Sequence, residues 1–109
     1  SGIGGIRQQE NAVAFKEIRI EPELVGDLTS AEVSYHSLYG EISSKWKKTN
    51  NAFEIQLNIP VNTTAVVYLP VSVSQHIVEE QNSAFKTLGS ENGRTKISIG
   101  SGYFKFIVK

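Results

Sequence analysis

Residues Phe53-Glu54-Ile55-Gln56-Leu57-Asn58-Ile59 alternate apolar and polar without a break. Apolar side chains fall on every odd position and polar ones on every even position. That period of two gives one buried face and one wet face to an extended strand, and a helix has no use for it. Pro60 ends the run, because proline cannot donate to a central ladder. A chain built around such a segment must find other half-buried strands to pair with it and a second layer to cover its apolar side.

Further strands read along the chain. Phe15 to Glu21 places Ile18 and Ile20 on one face and stops at Pro22. Ala31 to Leu38 sets Val33 and Tyr35 against Ser34 and His36, and Glu41 to Lys47 sets Ile42, Ser44 and Trp46 against Ser43, Lys45 and Lys47. Thr64 to Leu69 is apolar on both faces, the pattern of a strand covered on both sides, and ends at Pro70. Ile77 to Glu79, Ala84 to Leu88, Thr95 to Ile99 and Tyr103 to Val108 complete the set. Turn chemistry separates them: Tyr39-Gly40, Thr49-Asn50-Asn51, Asn92-Gly93 as a tight hairpin, and Gly100-Ser101-Gly102 as another hairpin. Ile and Val outnumber Leu, the β-branched bias of sheets. No segment of helical length shows a 3.6 period, and Val73 to Gln81 is the one stretch with room for a helical turn. The expected fold is all-β, an antiparallel β-sandwich of about eight short strands. Its core is expected to hold Ile18, Ile20, Val33, Ile42, Trp46, Phe53, Ile55, Leu57, Ile59, Val66, Phe104 and Phe106.

The size fits one such core. For 109 residues, size scaling gives about 6,000 Å² of folded surface against about 17,000 Å² unfolded, so roughly two-thirds is buried. Residues 15–109 are assigned to the sandwich. Residues 1–14, small and apolar and then polar, read as a boundary segment outside its core.

Composition narrows the function. Eleven basic residues balance eleven acidic ones, which argues against a nucleic-acid binder working through a basic field and against a polybasic membrane module. The apolar runs are only a few residues long, far from the roughly 20 of a spanning helix. With no cysteine, there is no disulfide, zinc–thiolate site or thiol nucleophile. No cofactor or metal is implied. The cysteine count leaves the compartment open.

Chemistry-bearing residues do not converge. His36 and His76 lie far apart, and His36 falls on the polar side of its strand. Glu79 and Glu80 are adjacent, so on a strand they point to opposite faces and cannot flank one bond. Asn62-Thr63-Thr64 matches a glycosylation acceptor but reads better as a polar turn. No Gly-x-Ser-x-Gly elbow is present, and Gly2-Ile3-Gly4-Gly5 lacks the rest of a dinucleotide fingerprint. No residue is assigned a catalytic role. Aromatic stacking on sugars is the remaining chemistry, and Tyr39 and Tyr103, at a turn and at a strand end, are the candidate carbohydrate-binding residues.

One joint pattern goes further: Phe15-Lys16, Ile18, Ile20, Pro22 and Gly26-Asp27-Leu28; then Ser34, Tyr39-Gly40, Ile42, Trp46 and Phe53; then Ile59-Pro60, Asn62-Thr63-Thr64-Ala65, Leu69-Pro70 and Gly100-Ser101-Gly102-Tyr103. It resembles the C-terminal β-sandwich domain of bacterial α-L-rhamnosidases and covers nearly the whole chain. The resemblance implies a module that follows an (α/α)₆ catalytic barrel, which carries the acid and base carboxylates and hydrolyses terminal rhamnose with inversion. Ser1 to Arg7 then looks like the end of the barrel's last helix and its linker, with Ile3 and Ile6 facing the barrel, and the missing initial Met suggests a longer parent chain. Export to the periplasm or exterior is favoured over the cytoplasm. The expected role is a non-catalytic domain whose partner is the barrel of the same chain. The alternatives are a carbohydrate-binding module for rhamnose-containing glycans and a protein-interaction sandwich.

Overall fold

The computed structural model describes residues 6–9, 16–22, 29–49, 52–70 and 76–109. Its strands are β1 (Ile6–Gln9), β2 (Lys16–Ile20), β3 (Ser30–Ser37), β4 (Gly40–Lys48), β5 (Phe53–Ile59), β6 (Thr63–Leu69), β7 (Ile77–Glu79), β8 (Lys86–Glu91), β9 (Arg94–Ile99) and β10 (Gly102–Val108). They form two five-stranded sheets. Sheet A has the order β1-β2-β6-β9-β8 and sheet B the order β3-β4-β5-β10-β7. The sandwich expectation holds, with ten described strands. The accessible surface, 6371 Å², agrees with a single compact core.

The alternating run from Phe53 to Ile59 is β5, with Phe53, Ile55, Leu57 and Ile59 buried. It lies at the centre of sheet B, antiparallel to both β4 and β10. Opposite it, sheet A contributes Ile18, Ile20, Ala65, Val67, Leu69, Ile97 and Ile99. Trp46 stacks on Phe53, centroids 5.8 Å apart, and Phe85 meets Phe106 edge-on at 5.1 Å. Such offset and edge-on ring pairs add to the area they bury.

Several expectations are corrected. Residues 6–9, read as part of a linker, form an edge strand paired antiparallel with β2; four residues bordered by glycine-rich and polar sequence carry too short a pattern to announce a strand. Ile3 lies outside the described residues. The sandwich is not wholly antiparallel, since β2 and β6 run parallel. That pairing joins strands distant in sequence, so no turn signal marks it. Gly100-Ser101-Gly102 is no hairpin: β9 belongs to sheet A and β10 to sheet B. The segment carries the chain between layers, and Gly102 takes φ 130°, open to glycine. The strand expected from Ala84 to Leu88 is shifted to Lys86–Glu91 and carries a register irregularity between Thr87 and Gly89. Within the stretch that had room for a helical turn, 77–79 is a strand and 73–75 lies outside the described residues.

Two expected core residues sit elsewhere. Val33 is half-buried on edge strand β3, packed against the core's margin. Val66 is half-buried on the outer face of sheet A, because Ala65 and Val67 take the inward positions of β6. Asn92-Gly93 does make the tight hairpin, with φ 53° and 78° and Glu91 facing Arg94.

Candidate functional site

The two expected sugar-stacking tyrosines are not neighbours in one strand pair. Tyr103 is 44% exposed on the outer face of sheet B. Its register partner is Asn58 on β5, followed by Ser43 on β4 and Ser34 on β3. Tyr39 is half-buried in the two-residue turn joining β3 and β4. Ser37 shapes that turn, accepting at Oγ from the Tyr39 N–H (3.2 Å) and donating its hydroxyl to the Gly40 carbonyl (2.8 Å). The Tyr103 row reaches β4 only at Ser43, inward along the strand from the turn. Tyr103 thus lies on β10 and Tyr39 in the β3–β4 turn, and β5 separates β10 from β4 in the sheet.

The same end of the sandwich carries further exposed apolar groups. Leu38 lies in the β3–β4 turn and Val61 in the β5–β6 turn, both largely in solvent. Thr63, the second residue of the glycosylation-type triplet, is buried and donates its hydroxyl to the Val61 carbonyl (3.1 Å), while Asn62 holds φ 55°. Asn62 thus ends the polar turn its sequence suggested, while Thr63 and Thr64 open β6.

Three acidic groups near β10 are used structurally. The Glu79 carboxylate accepts from the Ser83 N–H (2.6 Å) and the Lys105 N–H (2.8 Å), tying β7 to β10 and to the loop beyond. Glu80 and Glu54 flank the Lys105 ammonium at 3.6 and 3.8 Å. His36 is exposed beside Glu41, and His76 is exposed with its backbone paired to Lys109. Among the described residues no three His, Cys, Asp or Glu side chains gather as a metal site, and no helix is long and apolar enough to cross a membrane.

The two outer faces differ. That of sheet B exposes Glu32, Ser34, His36, Lys45 and Lys47 together with Tyr103 and Val78. That of sheet A is more covered. Tyr68, pointing away from the core on β6, is only 8% exposed. The Arg19 guanidinium lies over its ring, 4.4 Å from the centroid, and Lys96 stands 5.9 Å away. Glu21 pairs with Arg19 (3.1 Å) and Arg94 (3.7 Å), and Glu91 pairs with Lys96 (3.3 Å). Val66 continues the strip, with Arg19 and Ser98 as its register partners. Sequence reasoning named no residue on this face as functional. The one signal was the unbroken apolar run through β6.

Against known proteins, the sequence pattern of the bacterial alpha-L-rhamnosidase C-terminal domain matches residues 5–84. The chain belongs to that family. Within it, the domain is 30% identical over 94 residues to an alpha-L-rhamnosidase of Streptomyces avermitilis, covering 86% of this chain and 9% of the relative. It is also 30% identical over 100 residues to one of Formosa agariphila, covering 87% of this chain and 11% of that protein. The crystal structure of the Streptomyces avermitilis enzyme complexed with L-rhamnose superposes with a TM-score of 0.80 at 28% identity, over 98% of this chain and 10% of the other. The alpha-L-rhamnosidase of Dictyoglumus thermophilum gives 0.77 at 29%, over 98% of this chain and 12% of the other. The rhamnosidase C-terminal domain thus spans about a tenth of the relatives it matches.

Proposed function

We propose that this domain is a non-catalytic module of an α-L-rhamnosidase-like glycoside hydrolase, and that it packs against and supports a catalytic barrel in the same longer chain. The barrel would release terminal rhamnose with inversion. The observation that carries this reading is one of proportion. The matched fold takes in nearly all of this chain and only about a tenth of each matched rhamnosidase. Inverting hydrolysis needs two carboxyl groups facing one bond across roughly 6.5–9.5 Å. Here Glu79 is occupied by two backbone N–H groups, and Glu54 and Glu80 share one lysine.

The test is turnover of an aryl α-L-rhamnoside. The 109-residue chain is expected to release no aglycone, and the longer chain to release it with inverted rhamnose detectable by NMR. Removing the domain from the longer chain should lower that protein's unfolding temperature. Aglycone release by the isolated domain overturns the non-catalytic reading, and an unchanged unfolding temperature overturns the supporting role.

Carbohydrate binding is a second reading, favoured by the outward, exposed ring of Tyr103 beside Asn58.

A further inference from the structure

We propose that the outer face of sheet A, centred on Val66 and Tyr68, is the surface covered by the portion of the longer chain that lies N-terminal to this domain. The inference rests on the supporting role above and names the face that performs it. A sheet face left to water ordinarily alternates apolar-in and polar-out. Strand β6 breaks that rule, with Ala65, Val67 and Leu69 inward and Val66 and Tyr68 outward. Beside Val66, a shallow recess lined by Thr64, Ala84, Phe85, Lys86, Ser98 and Ile99 adjoins this strip.

The charges on this face suit burial. Arg19, Arg94 and Lys96 already hold Glu21 and Glu91, so covering them desolvates paired ions. Unpaired ions would cost far more. The covering surface is expected to present apolar side chains over Val66 and the recess. Topology favours the same face. The polypeptide reaches the sandwich through β1, the edge strand of sheet A, so the preceding chain arrives beside it. Sheet B offers mainly exposed lysines, glutamates and His36, with Tyr103 and Val78 among them.

Single cysteines test this, since the domain has none of its own. Ser98→Cys reports on the outer face of sheet A and Gln56→Cys on that of sheet B; both positions are half-buried within the domain itself. Each variant of the longer chain is labelled with a maleimide, the modified peptide is followed by mass spectrometry, and each rate is divided by its rate in denaturant. The expected result is protection of Ser98→Cys over Gln56→Cys by about tenfold or more, independent of protein concentration. Protection of Gln56→Cys with Ser98→Cys reactive overturns the choice of face and leaves the supporting role standing. Free reaction at both sites overturns the choice and the supporting role together. Protection of Ser98→Cys that grows with concentration replaces the N-terminal portion with a second copy and overturns the proposal.

Discussion

Gly40 and Pro60 approach so closely that a β-carbon on residue 40 would lie 3.0 Å from the Pro60 β-carbon. The turn between β3 and β4 is thereby held against the end of β5. Gly40 also has φ 133°, which L side chains rarely adopt. Gly40→Ala should therefore cost about 2–4 kcal/mol, strain and overpacking acting together. Gly93 has φ 78° and open space around it, so Gly93→Ala should cost only about 1–2 kcal/mol. Urea midpoints of the two variants check the order, and a smaller loss at Gly40 than at Gly93 contradicts the packing argument.

Trp46 is the single tryptophan and is almost wholly buried against Phe53. Trp46→Ala should cost about 3–5 kcal/mol through the cavity it leaves. In the unaltered protein, tryptophan emission should be blue-shifted and shift red in one cooperative step on unfolding. A near-neutral substitution would instead place the ring in solvent, where it could stack on a sugar.

Glu79 and Glu80 are neighbours with different duties. Glu79→Ala strands the N–H groups of Ser83 and Lys105 and should cost about 1–3 kcal/mol for each left buried without a partner. Glu80→Ala removes one part-exposed contact to Lys105 and should cost less than about 1 kcal/mol. Chemical denaturation of both variants measures the difference, and equal losses would refute the assignment of Glu79 as the tie between β7 and β10.

The separation of Tyr39 from Tyr103 bears on sugar binding. A stacking platform gathers its rings on one surface, whereas Tyr39 sits half-buried in the β3–β4 turn and Tyr103 points outward from β10. Titration with L-rhamnose to millimolar concentration should leave the amide shifts of both residues unchanged. Saturable shifts at Tyr103 and Asn58 would instead establish the carbohydrate-binding reading.

Local pattern made much of the fold legible. The strict alternation of 53–59 identified β5, its buried face and its end at Pro60, and the row Ile42, Ser44, Trp46 did the same for β4. What local pattern does not carry is the destination of a strand. Gly100-Ser101-Gly102 has hairpin composition, yet the strands it joins belong to different layers, a choice made by packing rather than by the turn. The parallel partnership of β2 and β6 is equally silent in sequence. Tyr68 shows the corresponding limit at the candidate site. The run from Thr64 to Leu69 signals cover on both sides, but the placement of Arg19 over the ring depends on two strands meeting from distant parts of the chain.

The order in which the chain visits its two layers has a consequence for biosynthesis. It passes from sheet A to sheet B after β2, returns after β5, crosses again after β6, returns after β7 and crosses a last time after β9. The final strand, β10, then inserts between β5 and β7. On the ribosome, β5 therefore waits with one ladder open and β7 with no ladder at all until Gly102 to Val108 have emerged. A sandwich whose β5 and β7 ladders are both closed by β10 is protected from misassembly only after translation has passed that strand, and a chain cut within it should be aggregation-prone rather than a slightly smaller sandwich.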